Sequence, residues 1–222
     1  MTYPVNDIYA CIQGEGRLAG TSMVLLRLHG CPVGCPFCDT KETWLLTSEQ
    51  CVDTIDAALG TNERWTTAGA DTIATYIGER FPQLSWVLLT GGEPAMYPLR
   101  NLVDALHARR FMVAVETSGT ADGVLHSATD WLCVSPKVGM PGGRTVLPAV
   151  ISMANELKFV VGKRSDLDKI EEYLEQWKVQ KWQIVSVQPM STNERATQLC
   201  IEAALSQGWH VSLQMHKYLG QR

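Results

Sequence analysis

Residues 23–38 read Met-Val-Leu-Leu-Arg-Leu-His-Gly-Cys-Pro-Val-Gly-Cys-Pro-Phe-Cys, a short apolar run that leads into three closely spaced cysteines. The run at 23–28 has the length and the apolar composition of a buried β-strand. Cys31, Cys35 and Cys38 follow it in the spacing C-x3-C-x2-C, in a loop whose prolines and glycine suit a turn around a compact object. The stretch therefore predicts a strand whose carboxyl end carries a metal or cluster site.

Six further apolar runs repeat this plan, each closed by a small or polar cluster. They are residues 86–89, 111–115, 131–134, 157–161, 184–187 and 211–213. Helical periodicity lies between several of them, at 71–80, 98–110, 166–177 and 193–207, with Ser165 expected to cap the third helix and Gly208 to end the fourth. Strands that alternate with helices indicate a parallel sheet. Because the chain is short for eight strand–helix units, we predict an α/β fold, a partial parallel (β/α) barrel of about six or seven strands.

The chain length and charge narrow the class of protein. The 222 residues suit one domain, 1–222, in which residues 39–70 show no clear period and are expected to form an insertion around the cysteine loop. The formal net charge is -4 without a run of Lys or Arg, which argues against nucleic acid or an anionic membrane as a partner. The sequence shows no stretch of membrane-spanning length and no secretory signal, so we expect a cytoplasmic protein.

The seven cysteines are an odd number, and three of them lie within eight residues. A secreted disulfide scaffold would be smaller and denser in cysteine, so a reducing compartment fits better. Thiolates are soft ligands that suit iron–sulfur clusters and zinc. Three thiolates on a four-iron cluster leave one iron open to bind a substrate, whereas a structural zinc site takes four ligands and could use His29 as the fourth. The spacing alone leaves both readings open.

The motif resembles the signature of the radical S-adenosylmethionine (SAM) superfamily, in which C-x3-C-x2-C directly follows a strand. The aromatic residue usual before the last cysteine is present as Phe37, and a second superfamily motif, Gly-Gly-Glu-Pro at 91–94, follows the next strand. The resemblance implies a 4Fe–4S cluster on Cys31, Cys35 and Cys38, whose open iron chelates SAM. An electron from the cluster then breaks the C–S bond and gives a 5′-deoxyadenosyl radical.

A closer resemblance runs from about residue 3 to the last residue. Its motifs are Gln-Gly-Glu-Gly (13–16), Arg-Leu-His-Gly-Cys-Pro (27–32), Cys-Asp-Thr (38–40), Thr-Gly-Gly-Glu-Pro (90–94), Glu-Thr-Ser-Gly-Thr (116–120), Val-Ser-Pro-Lys (134–137) and Met-His-Lys-Tyr-Leu (215–219). Together they are similar to the 7-carboxy-7-deazaguanine synthase family, in its gammaproteobacterial type with the short cysteine loop. That family is a carbon–nitrogen lyase that converts 6-carboxy-5,6,7,8-tetrahydropterin to 7-carboxy-7-deazaguanine, with loss of ammonia, on the way to queuosine.

The resemblance also implies which residues hold SAM. The glycines at 91 and 92 are expected to expose strand-end backbone groups to it, because glycine permits close approach. Lys137 would lie as a cation near its polar groups. The residues expected to bind the cofactor are Gly92, Ser135, Pro136, Lys137, Gln188, Pro189, Met190 and Ser191.

The substrate carries a carboxylate and a flat edge rich in hydrogen-bond donors. Arg27 lies at the end of the strand that precedes Cys31, and it can hold a carboxylate with two parallel hydrogen bonds. The residues expected to bind the substrate are Ile12, Gln13, Gly14, Arg27 and Thr90. Glu15 or Glu116 could accept hydrogen bonds from the amino and ring N–H groups. Glu116 and His216 are the candidates for a catalytic role, although His216 fits a core position equally well.

Magnesium and protein partners complete the expectations from the resemblance. The family needs Mg²⁺, and Thr40 is the expected protein ligand; a lone hydroxyl holds a hard cation poorly, so tight binding is expected only with substrate present. We also expect a low-potential electron donor such as flavodoxin or ferredoxin, and a homodimer, because a partial barrel leaves surface to cover.

Three alternatives compete with this assignment. Another small radical SAM enzyme, such as a glycyl-radical activating enzyme, would share both superfamily motifs but act on a protein. A zinc-stabilised binding module would be colourless and free of iron. A simple electron carrier would need four cluster cysteines. Gln13–Gly16 and Arg27 favour a small carboxylated substrate.

Overall fold

The computed structural model describes residues 1–191 and 193–220, and within them the backbone forms one nine-stranded sheet. The strands are β1 (Thr2–Ile12), β2 (Ser22–Leu28), β3 (Thr66–Gly69), β4 (Trp86–Gly91), β5 (Met112–Thr117), β6 (Trp131–Val134), β7 (Glu156–Val161), β8 (Ile184–Pro189) and β9 (His210–Val211). Their order is β3-β1-β2-β4-β5-β6-β7-β8-β9. β1 is antiparallel to both of its neighbours, and the seven strands from β2 to β9 are parallel. The sheet stays unclosed, which confirms the predicted partial barrel.

The seven parallel strands lie at the seven apolar runs that the sequence predicted, whereas β1 and β3 were missed. Polar residues interrupt the alternation in β1, where Asn6 and Asp7 are buried beside Val5, and the pairing with β2 shifts register at this point. β3 lies inside residues 39–70, which also contain two short 3-10 turns and a four-residue helix. Short strands at a sheet edge carry little pattern of their own.

The described residues also form seven helices. They are α1 (Ile55–Ala58), α2 (Ala70–Arg80), α3 (Arg100–His107), α4 (Pro148–Met153), α5 (Arg164–Gln176), α6 (Glu194–Gln207) and α7 (Met215–Leu219). α6 has Asn193 as its cap and ends at Gly208 with a φ of 71°, as expected. No helix in the described part of the chain combines the length and apolar character needed to cross a membrane.

The expected cap of α5 was wrong. The helix begins at Arg164, so Ser165 lies inside its first turn rather than before it. The Asp166 carboxylate accepts hydrogen bonds from the backbone N–H groups of Gly162 and Lys163, at 2.9 and 3.0 Å. A carboxylate at this position satisfies free N–H groups of the first turn, so a serine cap is not needed.

Apolar residues on alternate positions of the strands build two separate cores. The larger lies between the sheet and the helices and contains Leu26 of β2, Leu89 of β4 and Leu102 of α3, all fully buried. The smaller lies on the opposite, inner face and is formed by Met23, Leu88 and Ala114 with their neighbours. Burial of each large side chain stabilises the fold by about 1.5–3 kcal/mol. On the inner face, polar side chains follow this small core toward the carboxyl ends of the strands.

Candidate active site at the carboxyl edge of the sheet

The cysteine loop leaves β2 and is tied to residues 39–70 by backbone hydrogen bonds. Gly30 N donates to Thr43 O at 2.7 Å, and Cys31 N donates to Trp44 O at 3.0 Å. Gly30 has a φ of +96°, which a glycine adopts without strain. The loop is therefore held on both sides before any ligand binds.

The sulfur of Cys38 has two hydrogen-bond donors. The backbone N–H of Thr40 and the indole Nε1 of Trp44 each lie 3.4 Å from Cys38 Sγ. Donors to a ligating sulfur stabilise its negative charge and tune a cluster bound to it. Trp44 was not predicted, since nothing in its spacing marks it from the sequence.

The glycines at 91 and 92 approach the cysteine loop itself. A Cβ atom on Gly91 would lie 2.1 Å from Leu28 O, and one on Gly92 would lie 2.2 Å from Gly30 O. In return, the N–H of Gly92 donates to Leu28 O and that of Glu93 to Gly30 O, both at 2.8 Å. Both glycines thus also approach the backbone that precedes Cys31, so this motif positions the loop.

Glu93 of the same motif is fully engaged inside the protein. Its carboxylate accepts hydrogen bonds from Thr117 Oγ1 at 2.5 Å, from Ser118 N at 2.7 Å and from Ala95 N at 3.0 Å. It is 1% exposed, so three donors are needed to offset the loss of water. Glu93 therefore joins the turn after β4 to the end of β5.

The three cysteines line one cavity of about 490 Å³, called here the thiol cavity. All three are free thiols. Most of the residues expected to bind SAM line it as well: Gly92, Ser135, Lys137, Gln188, Pro189, Met190 and Ser191. Pro136 is not among the lining residues. The Lys137 ammonium donates to Ser135 O at 3.0 Å and to Ser135 Oγ at 2.5 Å, and burial lowers its pKa.

A second cavity of about 550 Å³, called here the arginine cavity, adjoins the first. All five residues expected to bind the substrate line it: Ile12, Gln13, Gly14, Arg27 and Thr90. Both candidates for a catalytic role, Glu116 and His216, line it too. The two cavities share Glu15, Asp39, Thr40, Thr90, Gly91 and Glu116. The expected magnesium ligand, Thr40, therefore lies at the wall between them.

Arg27 reaches the arginine cavity with unused hydrogen-bonding capacity. Its Nε is buried and has no hydrogen-bond partner among the described residues. One terminal nitrogen lies 3.4 Å from Tyr9 Oη. Asp7, opposite Arg27 in the pairing of β1 with β2, instead accepts from the N–H groups of Ile8 and Gly60 at 3.0 and 3.2 Å. An unpaired buried donor costs about 1–3 kcal/mol, so this guanidinium is prepared for an anionic ligand.

A buried ion-pair network, absent from the sequence-based expectations, crosses the shared wall. Lys158 of β7 lies 2.5 Å from Glu15 Oε2 and 3.2 Å from Glu116 Oε1. Burial alone would lower the pKa of Lys158, but the two carboxylates raise it well above its ordinary value. Burial would raise the pKa of Glu15, but Lys158 and Gln214 lower it to about 2. A single lysine within an apolar strand does not reveal from the sequence that it pairs with two glutamates.

The last described helix closes the arginine cavity against the loop after β1. Met215 N donates to Gly14 O at 2.9 Å, and a Cβ atom on Gly14 would lie 2.7 Å from His216 Nδ1. Glycine at 14 is therefore required by the packing of His216. Residues 39–70 also contribute, through Gly60 and Asn62, which line the far end of this cavity and were not predicted.

His29 is placed away from the thiols. It is buried, its Nε2 lies 2.9 Å from Leu45 O and its Nδ1 lies 3.4 Å from Asn6 Nδ2. Burial lowers its pKa. With both ring nitrogens engaged, His29 does not supply the fourth ligand of a zinc site.

Known proteins resemble the chain over nearly its full length. A 7-carboxy-7-deazaguanine synthase from Escherichia coli strain K12 is 38% identical over 221 residues, and the match covers 99% of each chain. One from Synechocystis is 32% identical over 224 residues, covering 100% of this chain and 95% of the relative. The crystal structure of QueE from Escherichia coli has a TM-score of 0.91 at 36% identity, covering 96% of this chain and 94% of that one. No protein-family model matches the chain.

Proposed function

The chain belongs to the 7-carboxy-7-deazaguanine synthase family, and we propose that it converts 6-carboxy-5,6,7,8-tetrahydropterin to 7-carboxy-7-deazaguanine with loss of ammonia, in queuosine biosynthesis. One observation carries the proposal for the reaction. A cavity lined by three free thiols adjoins a cavity lined by an arginine whose buried Nε has no hydrogen-bond partner in the part of the chain that the structure describes. Six residues line both cavities. A cofactor in the first cavity and a carboxylated substrate in the second would meet at the shared wall.

The thiol cavity suits an iron–sulfur cluster. Cys31, Cys35 and Cys38 would hold it, and the two donors to Cys38 Sγ would stabilise the charge on that sulfur. When bound, the cluster and SAM supply a carbon-centred radical that starts the reaction. The chain orients these groups and keeps water away from them.

The residues that would hold SAM come from turns that follow three parallel strands. Gly92 follows β4. Ser135, Pro136 and Lys137 follow β6. The third group ends β8 and continues beyond it, as Gln188, Pro189, Met190 and Ser191. Carboxyl ends of parallel strands are the usual place for such a ligand. The Ser135 hydroxyl keeps the Lys137 ammonium at the cavity wall, where it would face the polar groups of SAM.

The arginine cavity would take the pterin. Arg27 would bind the carboxylate with two parallel hydrogen bonds, which would also satisfy its buried Nε. Ile12, Gln13, Gly14 and Thr90 would contact the flat ring from the loop after β1 and the end of β4. Glu116, with His216 across the cavity, would accept hydrogen bonds from the ring edge.

Magnesium would bind through the Thr40 hydroxyl together with oxygen atoms of the substrate and water. Thr40 Oγ1 lies 3.7 Å from Cys38 Sγ, at the wall shared by both cavities. A cation held there would stabilise the negative charge of the substrate carboxylate. A low-potential electron donor such as flavodoxin or ferredoxin, a homodimer and a cytoplasmic location remain predictions of the sequence.

The alternative functions have less support. Full-length similarity to 7-carboxy-7-deazaguanine synthases favours a small pterin over the protein substrate of a glycyl-radical activating enzyme. The zinc-stabilised module loses its proposed fourth ligand, because the His29 ring nitrogens face Leu45 O and Asn6.

The test is an anaerobic assay with reconstituted iron and sulfide, SAM, Mg²⁺, a strong reductant and 6-carboxytetrahydropterin. Mass spectrometry should detect a product lighter than the substrate by one ammonia. Cys35→Ala should make none, whereas Cys51→Ala, which changes an exposed cysteine outside both cavities, should match the wild type. If SAM is cleaved while the pterin stays intact, the proposed substrate is wrong. If SAM also stays intact, the proposed radical chemistry is wrong.

A further inference from the structure

Lys158 stands out because it is buried beside two carboxylates and no expected role of the site includes it. Its side chain is 4% exposed, and its ammonium contacts both Glu15 and Glu116. The other oxygen of Glu15, Oε1, accepts a hydrogen bond from Gln214 Nε2 at 2.9 Å. The network therefore joins the loop after β1, the end of β5, the middle of β7 and the segment after β9.

The charged residues of the network line the two cavities. Glu15 and Glu116 line both cavities, and Lys158 lines the thiol cavity. Two neighbouring, half-buried carboxylates repel each other, and the buried ammonium that contacts both offsets this repulsion. Without Lys158, the repulsion would turn one of the two carboxylates away from its present position.

The contacts also fix how the Glu116 carboxylate is turned. Lys158 Nζ and Gln13 Nε2 both donate to the same oxygen, Oε1, at 3.2 and 3.0 Å. Two donors on one oxygen restrain the plane of the carboxylate, and Glu116 lines the arginine cavity as well as the thiol cavity.

We propose that Lys158 is a positioning residue that holds the Glu116 carboxylate in one orientation at the arginine cavity, so that Glu116 accepts hydrogen bonds from the N–H edge of the pterin. The inference rests on the proposed function. It adds that the Glu116 carboxylate, positioned by Lys158, contributes to recognition of the pterin. If Lys158 only stabilised the fold, its removal would lower the free energy of unfolding and leave the affinity for the pterin unchanged.

The experiment compares Lys158→Met and Lys158→Arg with the wild-type holoenzyme. Lys169→Met, on the exposed face of α5, is the matched control for loss of a lysine. Titration calorimetry with 6-carboxypterin, an unreactive analogue, measures binding, and turnover assays measure 5′-deoxyadenosine released per product formed. We expect Lys158→Met to bind the analogue at least tenfold more weakly and to release more 5′-deoxyadenosine per product, with kcat/KM lower by about 100-fold. Lys158→Arg should recover part of the affinity, and the control should match the wild type.

A double variant separates positioning from charge balance. Lys158→Met with Glu15→Gln removes one negative charge together with the ammonium, so it should fold even if the single variant does not. Because Glu15 itself lines both cavities, the single variant Glu15→Gln is the reference for analogue binding. We expect the double variant to be stable and to bind the analogue at least tenfold more weakly than this reference. Wild-type affinity in this variant, or in a folded Lys158→Met protein, would overturn the inference. A wild-type enzyme that neither binds nor converts the pterin would overturn the proposed function first, and the inference with it.

Discussion

The thiol cavity and the arginine cavity share a wall, but the chain builds them in different ways. Most of the thiol cavity comes from turns that directly follow β2, β4, β6 and β8, so each contribution is a short contiguous motif. The arginine cavity combines the loop after β1, the end of β2, four residues from 39–70 and the segment after β9. A site made from strand-end turns can be recognised as motifs, whereas one assembled from distant segments depends on the whole fold.

The largest expected effect tests how rigidly the thiol cavity is built. Gly92→Ala places a Cβ atom 2.2 Å from Gly30 O, a contact that only a backbone shift can relieve. Because Gly30 precedes Cys31, we expect the variant to lose the cluster and all turnover. Iron content and the visible absorbance of the reconstituted protein measure the loss.

Gly78→Ala is the matched control for this substitution. A Cβ atom on Gly78, within α2, meets nothing closer than 3.6 Å, and alanine favours a helix by about 1 kcal/mol. We therefore expect wild-type iron content and a slightly higher unfolding temperature. Full cluster loading in Gly92→Ala would show that the turn after β4 does not position the cysteine loop.

The next largest effect should show that the two cavities bind different ligands. Arg27→Met removes the donors proposed for the substrate carboxylate, and each charged hydrogen bond contributes about 1.5–3 kcal/mol. We expect 6-carboxypterin to bind about 100-fold more weakly, while SAM affinity stays unchanged because Arg27 lines only the arginine cavity of the two. Calorimetry with each ligand measures both, and Arg80→Met, an exposed arginine paired with Asp56, is the control.

Stability gives a second readout for the same variant. Because Arg27 Nε is buried and unpaired, replacing it with an apolar side chain should leave the free energy of unfolding unchanged or raise it. An equal loss of SAM and pterin affinity, with lower stability, would mean that Arg27 supports the whole fold rather than one cavity.

A smaller effect is expected at Thr40, which belongs to both cavities. Thr40→Ala removes the proposed Mg²⁺ ligand but keeps the backbone N–H that donates to Cys38 Sγ. We expect half-maximal activity to need about tenfold more Mg²⁺, with Thr40→Ser close to the wild type. A magnesium titration with and without pterin measures this, and an unchanged requirement in Thr40→Ala would remove Thr40 as the ligand.

The sequence predicted the parallel strands and the thiol cavity well, for physical reasons. Buried strands of a parallel sheet are continuous apolar runs, and the residues after them necessarily meet at one edge. Gly92, Ser135 and Gln188 come from the carboxyl ends of three different strands, yet all three line the thiol cavity. Short sequence motifs were therefore enough to predict which residues meet at this edge of the sheet.

The shared wall and the far end of the arginine cavity could not be predicted in the same way. Lys158 sits in an apolar strand, and only the pairing of β7 with β6 and β8 brings it to the two glutamates. Asn62 lies in a stretch without period, where a φ of 57° and the contact of its carbonyl with Asn6 depend on tertiary structure. Long-range contacts of single polar residues leave no periodic trace in a sequence.

The smallest expected effect concerns the charge that joins the two cavities. The pKa of Glu15 is lowered from 4.5 to about 2, so the folded protein binds this proton more weakly than the unfolded chain does. Ionised Glu15 therefore stabilises the fold above about pH 4.5, and the contribution is lost as the pH falls from there toward 2.

Urea unfolding should show the wild type more stable than Glu15→Gln by on the order of 1–2 kcal/mol at pH 6, and by less at pH 3. Glu175→Gln, an exposed carboxylate on α5, should show no such dependence. A difference for Glu15→Gln that does not change with pH would mean that packing, not the ion pair with Lys158, holds the shared wall together.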